Sequence, residues 1–385
     1  LCEEKINLNN IDFFYVPGNF DWQKKILSLF GIENKKLINT TRRSFLSGIG
    51  LVAAGMALRP LNLFAQDEAI TFGLYSPENY LSKKLLSKIN SVIEPGINLT
   101  TYSSPSSFTL SGGSYDVIVG RDSSIENLIE EDKLLELNNN LISNKTFIDK
   151  KFLTSSFDPE RKYSIPLSYG AIGIAYRKSK FSEPPATWRW LLDSDKYAGK
   201  IALIGEGRTL IQLALKYMGV SLNTNDPMWI NQAEKLLKRQ KVNVKDFGES
   251  NGKELLINGE VDIAVLSNED YRTINNSDID FTFPREGSLI WQDCASILKS
   301  SLQQNESHDV INSLLEPKNG KLLAEDIQFA TPNIMALDMC KDSYKENHTI
   351  FPNAQIIERY EDTSSILDFD YEMMIEEMWD NILSE

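Results

Sequence analysis

Histidine and cysteine are scarce in this chain of 385 residues, which contains two histidines and three cysteines. The histidines, His308 and His348, do not accompany a recognisable nucleophile, and no cysteine or histidine spacing is typical of a metal site. This scarcity argues against an enzyme that relies on a nucleophile–histidine pair. We therefore predict no catalytic residues, no metal site and no cofactor.

A hydrophobic run long enough to cross a membrane is also missing from the N-terminal region. Its apolar stretch, Gly48–Leu58, has 11 residues, whereas a spanning helix needs roughly 20. The stretch follows Arg42 and Arg43, and twin arginines before a moderately hydrophobic segment resemble a twin-arginine export signal. We predict that residues 1–66 are an N-terminal extension and signal peptide that is removed on export to the periplasm; an ordinary N-terminal helix is the alternative.

An excess of basic residues is absent, since 40 lysines and arginines face 54 acidic residues and the formal net charge is −14. Binding of nucleic acid phosphates requires clustered lysine and arginine, so nucleic acid is excluded as a partner. An acidic surface suits a small cationic solute better. Two cysteines remain after the predicted signal, Cys294 and Cys340, and the sequence leaves open a disulfide or two free buried thiols.

Strands and helices alternate after residue 66. A strand over Ala69–Tyr75 precedes a helix over Glu78–Ile93, and the same rhythm continues along the chain. This order predicts an α/β fold with a largely parallel sheet and helices on both faces. Ligands in such folds lie beyond the carboxyl ends of strands, here Tyr75-Ser76 and the segment Gly120–Ser123. The apolar stripe of Tyr371–Leu383 predicts a helix docked on the core.

A Trp-x-Asp sequence, Trp291 and Asp293, lies on a predicted strand after a turn that contains Pro284 and Gly287. Residues i and i+2 of a strand share a face, so the indole and the carboxylate would face one space. An aromatic ring beside a carboxylate suits a primary ammonium. The alternative interpretation is a core tryptophan beside a solvated aspartate.

A second candidate loop is Gly205-Glu206-Gly207-Arg208-Thr209. It lacks the third glycine of a dinucleotide-binding motif and the lysine of a P-loop, and its glutamate would repel phosphate. Two interpretations stay open: a turn that places Glu206 near a helix N-terminus, or a loop that contacts a cationic ligand.

Several stretches in a fixed order carry a resemblance to a known family. They are Tyr163-Ser164-Ile165-Pro166, Lys196-Tyr197-Ala198-Gly199-Lys200, Asn258-Gly259-Glu260-Val261-Asp262, Phe283-Pro284-Arg285-Glu286-Gly287 with Trp291-Gln292-Asp293, Ala330-Thr331-Pro332-Asn333 and Phe351-Pro352-Asn353-Ala354. From residue 67 to the C-terminus the chain resembles the periplasmic spermidine/putrescine-binding proteins of ABC transporters.

The resemblance implies a two-lobed periplasmic binding protein of type II with hinge-crossing strands. Lobe 1 would comprise residues 67–170 and 294–345, and lobe 2 would comprise residues 171–293 and 346–385. A monomer would close by a hinge motion over a polyamine and deliver it to an ABC permease in the inner membrane. The alternatives are an amino-acid-like solute on the same fold, or a ligand sensor for a membrane receptor.

The resemblance also predicts the residues of the ligand site, but only some of these positions have the residue type of the family. Trp291 and Asp293 match an aromatic and a carboxylate of the family, and Phe329 replaces a tyrosine. The other positions in the predicted ligand site are Tyr75, Ser76, Arg121, Ser123, Glu206, Thr209 and Ser267. Thr209 and Ser267 replace a family acid and a family tryptophan, which weakens the expected grip on a polyamine. Arg121 lies where the family has a serine, and would either repel a second ammonium or pair with a ligand carboxylate.

Overall fold

A computed structural model of the protein describes residues 71–94, 96–111, 113–203, 206–247, 252–363 and 369–384. These residues belong to one compact unit, Asp67–Glu385. The predicted export signal with Arg42 and Arg43 lies outside the described residues. None of the helices in the described part of the chain is both long and apolar enough to span a membrane.

The strands of the described residues join in one mixed sheet, in the order β2-β1-β3-β9-β4-β7-β5-β6, with β8 pairing with β4. Parallel pairs occur among β1, β2 and β3 and among β5, β6 and β7, whereas β4 and β9 pair only in antiparallel fashion. The predicted α/β fold is confirmed, and the expected parallel pairing is found towards both ends of the sheet. The strands are β1 (Phe72–Pro77), β2 (Ile97–Tyr102), β3 (Val117–Arg121), β4 (Ile165–Arg177), β5 (Ile201–Leu203), β6 (Val244–Phe247), β7 (Ile263–Ser267), β8 (Ile279–Thr282) and β9 (Ile290–Ile297).

Strand β4 changes partners along its length. It pairs with β9 as far as Ala171 and with β7 from Ile172 onwards. Every residue of β4 except the last is buried, as its nearly continuous apolar sequence requires of a central strand. The change of partner falls one residue beyond the boundary predicted between residues 170 and 171, and the assignment of the two lobes on either side stays a prediction.

Helices cover the sheet, and side chains cap the N-termini of several of them. The predicted helix over Glu78–Ile93 is shorter in the structure, because the Ser82 hydroxyl accepts a hydrogen bond from the Leu85 N–H at 3.3 Å and starts the helix there. The α-helices are Lys83–Ile89, Asp122–Glu130, Arg189–Leu192, Gly207–Tyr217, Pro227–Lys241, Gly252–Ile257, Asn268–Arg272, Gln304–Leu314, Pro317–Ile327, Ile334–Met339, Asp342–Lys345, Ala354–Ile357 and Phe369–Ser384.

The C-terminal helix Phe369–Ser384 packs on the helices Gly207–Tyr217 and Pro227–Lys241. Its buried stripe consists of Tyr371, Ile375, Met378 and Ile382. This stripe recurs at the spacing of one helical face, so the predicted docked helix is confirmed.

The two cysteines of the described residues are separate buried thiols. The Cys294 sulfur accepts a contact from the Arg161 guanidinium at 3.6 Å, and the Cys340 thiol lies 3.2 Å from the Ala336 carbonyl. Of the two alternatives, the disulfide is therefore wrong.

Candidate functional site

A cavity of about 410 Å³ opens beyond the carboxyl ends of β1, β2 and β3. Its lining is completed by Glu269 and Arg272 of helix Asn268–Arg272, by Asp293 of β9 and by the segment 326–329. Its position agrees with the general rule that ligands of α/β sheets bind beyond strand ends. Four acidic and two basic side chains line it: Glu78, Glu269, Asp293, Asp326, Arg121 and Arg272.

An ion pair between Arg121 and Asp293 lies on one wall of this cavity. The two residues are direct partners in the antiparallel β3–β9 ladder, and Arg121 Nε lies 3.0 Å from Asp293 Oδ1. Arg121 Nη2 also lies 2.9 Å from Glu269 Oε2. The guanidinium carbon is 3.7 Å from the centroid of the Trp291 ring. One cation is therefore held by two carboxylates and one aromatic face.

The second oxygen of Asp293 is bound from the other side. The Ser168 hydroxyl donates to Asp293 Oδ2 at 3.1 Å, and the hydroxyls of Ser168 and Tyr80 are 2.7 Å apart. Ser168 is the partner of Asp293 in the β4–β9 ladder. The register of two ladders therefore fixes both oxygens of this carboxylate.

Burial controls the electrostatics of the site. It raises the pKa of Asp293, although the Arg121 charge acts in the opposite direction. Burial would by itself lower the pKa of Arg121, but Asp293 and Glu269 keep that pKa above its ordinary value. The neighbouring Asp122 has its pKa raised by burial to about 7, while its carboxylate accepts the N–H groups of Ser123 and Gln292, each at 2.9 Å.

The Trp291 ring is only 5% exposed. Arg121 covers one face, and Phe329 meets the ring edge to face with centroids 5.0 Å apart. The Arg272 guanidinium lies over the Phe329 ring, with its carbon 4.2 Å from the ring centroid. Arg121 on Trp291 and Arg272 on Phe329 both line the same cavity.

The structure brings together four of the predicted site residues: Arg121, Trp291, Asp293 and Phe329. Tyr75 instead lies in the core below the cavity, stacked on Tyr115 with centroids 4.7 Å apart. Ser76 is fully buried, and Ser123 is exposed on helix Asp122–Glu130. None of these three is among the residues that line the cavity.

The loop residues predicted to approach from lobe 2 do not line the cavity in this structure. The Thr209 hydroxyl donates to Glu206 Oε2 at 3.1 Å, where Glu206 precedes helix Gly207–Tyr217. The Ser267 hydroxyl accepts the Asp270 N–H at 3.0 Å and caps helix Asn268–Arg272. Their roles as ligand contacts stay predictions.

Sequence reasoning missed Glu269, Arg272, Ser168 and Tyr80. Glu269 and Arg272 follow directly on the end of β7, where the strand-end rule already directed attention to Ser267. Ser168 offered no such signal, because only the register of β4 against β9 places it beside Asp293.

A mixed sheet with long shared strands and a charged cleft beyond its strand ends is the architecture of a type II periplasmic binding protein. Residues 107–352 match the family of bacterial extracellular solute-binding proteins, and the chain belongs to this family. Members of that family are solute-binding proteins rather than enzymes.

Characterised relatives cover most of the chain. The spermidine/putrescine-binding periplasmic protein of Escherichia coli K12 is 28% identical over 321 residues, which are 81% of this chain and 91% of the relative. The putrescine/cadaverine-binding protein of Pseudomonas aeruginosa is 28% identical over 261 residues, 64% of this chain and 74% of the relative. The crystal structure of the spermidine/putrescine ABC transporter substrate-binding protein of Streptococcus pneumoniae superposes with a TM-score of 0.75 at 25% identity, covering 82% of this chain and 98% of that one.

Proposed function

We propose that this protein binds a polyamine of the putrescine or spermidine type outside the cytoplasm and delivers it to an ABC permease. The observation that carries the proposal is that Trp291, Asp293 and Glu269 together hold a cation, the Arg121 guanidinium. The same aromatic face and carboxylates provide what a primary ammonium requires. The relatives named for spermidine, putrescine and cadaverine bind cations of this class.

The charge of the cavity supports a ligand with more than one positive charge. Four carboxylates against two guanidinium groups give a formal charge of −2. A diamine carries the complementary charge, and its methylene chain suits the apolar side chains Ile327 and Phe329 of the lining.

Binding is proposed to involve two lobes, residues 67–170 with 294–345 and residues 171–293 with 346–385, that close by a hinge motion. Supporting this division, β4 changes partners between Ala171 and Ile172. Small-angle X-ray scattering should show a smaller radius of gyration with ligand than without. Identical profiles with and without a ligand that calorimetry shows to be bound would contradict hinge closure.

The direct test of the function is calorimetry of residues 67–385 against putrescine, cadaverine, spermidine, arginine and γ-aminobutyrate. We expect binding of at least one polyamine and no comparable affinity for the amino acids. Tight binding of an amino acid with no polyamine binding would overturn the proposal in favour of a zwitterionic solute. One observation favours that second candidate: Arg272 has no ion-pair partner among the described residues and faces the cavity.

The finer cellular assignments belong to the same proposal. The protein would be exported by the twin-arginine route, act in the periplasm as a monomer, and contact a permease in the inner membrane. A role as a ligand sensor for a membrane receptor is the alternative use of the same binding event. Loss of polyamine uptake on deletion of the gene would support transport, whereas unchanged uptake with altered polyamine-dependent signalling would support sensing.

A further inference from the structure

We infer that Arg121 is a tethered competitor, a cation of the protein itself that occupies the ammonium subsite and must leave before a ligand ammonium can enter. The inference rests on the proposed function to the extent that the natural ligand is a cation. It assigns Arg121 a role in specificity, since only cations able to displace the guanidinium would bind at this subsite.

The occupancy of the subsite carries the argument. The guanidinium takes up one oxygen of Asp293 at 3.0 Å, one oxygen of Glu269 at 2.9 Å and one face of Trp291 at 3.7 Å. The remaining oxygen of Asp293 is bound by Ser168. A ligand ammonium therefore cannot take the same position against this indole face, Asp293 Oδ1 and Glu269 Oε2 while the guanidinium remains there.

The strand register explains why this arginine is so well placed. Arg121 and Asp293 face each other across the β3–β9 ladder, so the side chain reaches the carboxylate without any loop adjustment. Burial of Asp293 makes an unpaired carboxylate costly, and the tethered guanidinium removes that cost in the absence of ligand. The Asp293 carboxylate is thereby stabilised by an ion pair within the protein itself.

The cavity also offers the displaced side chain a place to go. The Arg121 side chain is 14% exposed and lines the open cavity, so rotation of its side chain moves the guanidinium into solvent without moving the strand. Glu78 and Asp326 line the same cavity and form no ion pair with another residue in the described part of the chain, so they offer negative charge to the displaced group. The apparent affinity equals the intrinsic affinity multiplied by the fraction of molecules whose subsite the guanidinium has left, so it is low when that fraction is small.

The test compares Arg121→Ala with Arg189→Ala. Each variant removes one guanidinium that lies over a tryptophan ring, so the change in net charge is the same, but Arg189 does not line the cavity. Calorimetry with putrescine and spermidine should show at least about tenfold tighter binding for Arg121→Ala, and a change within about threefold for Arg189→Ala. Unchanged or weaker binding by Arg121→Ala, or equal gains in the two variants, would overturn the inference.

A second probe does not depend on polyamine binding. Removal of the Arg121 side chain leaves a subsite shaped for a guanidinium, so millimolar methylguanidinium should raise the melting temperature of Arg121→Ala but not of the wild type or Arg189→Ala. A melting temperature that rises with methylguanidinium, in a protein that binds no polyamine, would support the role of Arg121 as a competitor and would refute the proposed polyamine function. If Arg121→Ala still unfolds cooperatively but methylguanidinium does not raise its melting temperature, the role of Arg121 as a competitor is refuted.

A third measurement uses the unmodified protein and so survives any failure of the variants to fold. The Arg121 Nε–H resonance, identified in a nitrogen-15 spectrum, should shift and gain exchange with solvent as putrescine is added. A resonance that stays unchanged at saturating putrescine would mean that the guanidinium remains on Asp293, which contradicts displacement.

Discussion

Gly170 lies directly opposite Trp291 in the β4–β9 ladder, and the indole occupies the space that a side chain at residue 170 would fill. A Cβ atom built on Gly170 would lie 2.1 Å from Trp291 Cζ2 and 2.5 Å from Asn268 Oδ1. Both distances are far below van der Waals contact. The missing side chain therefore lets the Trp291 ring, which supports Arg121 on the cavity wall, pack directly against β4.

Substitution of this glycine should disturb both stability and binding. Gly170→Ala forces the Trp291 ring or Asn268 to move, and overpacking of this kind costs about 1–3 kcal/mol. We expect a lower free energy of unfolding in urea and weaker polyamine binding. Gly96→Ala is the matched control, because its Cβ would come no closer than 3.5 Å to the nearest atom. Equal stability and affinity in both variants would show that the ring position is not constrained in this way.

The Asp293 carboxylate should be a principal determinant of affinity. Loss of one partner from a buried ion pair costs about 3–5 kcal/mol, but Asp293→Asn also loosens the competing Arg121. We therefore expect polyamine binding to weaken about 10- to 100-fold, at about 1.4 kcal/mol per tenfold. Calorimetry measures this directly.

Glu206→Gln is the comparison for that experiment, since the loop glutamate does not line the cavity in this structure. We expect a loss of less than about threefold on the same scale. A loss that equals that of Asp293→Asn would mean that closure brings Glu206 onto the ligand. Such a result would restore the complete site that the family resemblance predicts.

The stability of the protein should fall as pH rises from about 4 to about 7, because of Asp122. Its pKa is raised from an ordinary value near 4 to about 7 by burial. Between these values the folded state holds a proton that the unfolded state has lost, so the free energy of unfolding decreases with pH and levels off above pH 7. Between pH 5 and pH 8, the wild type should lose about 1–3 kcal/mol more than Asp122→Asn.

Urea unfolding at the two pH values measures this difference. Asp338→Asn, which changes an exposed aspartate on helix Ile334–Met339, provides the control for a change in net charge. Parallel pH profiles for the wild type and Asp122→Asn would contradict a raised pKa at Asp122.

Export should depend on the twin arginines. Replacing Arg42 and Arg43 together with lysine preserves charge but removes the paired guanidinium groups, and we expect the precursor to stay in the cytoplasm. Cell fractionation with antibody detection distinguishes the outcomes, with the unaltered precursor processed in parallel. Normal appearance of the double variant in the periplasm would show that another route carries the protein.

Local sequence patterns were sufficient to predict much of the fold of this protein. Alternation along the predicted strand β9 placed Trp291 and Asp293 on one face. The spacing of apolar residues predicted the C-terminal helix, and the order of strands and helices predicted an α/β fold. These features depend on residues close in sequence, where backbone geometry alone fixes which side chains share a face. The resemblance added the family, to which residues 107–352 are now assigned.

Only the tertiary structure determines which side chains contact the Asp293 carboxylate. Arg121 and Asp293 are separated by 172 residues, and their contact follows from the register of β3 against β9. A shift of one residue would turn the arginine to the opposite face of the sheet, and no local pattern specifies that register. The sequence left two roles open for Arg121, repelling an ammonium or binding a carboxylate. Packing placed it on Asp293, Glu269 and Trp291, because burial of a carboxylate in the sheet demands a counter-charge at that position.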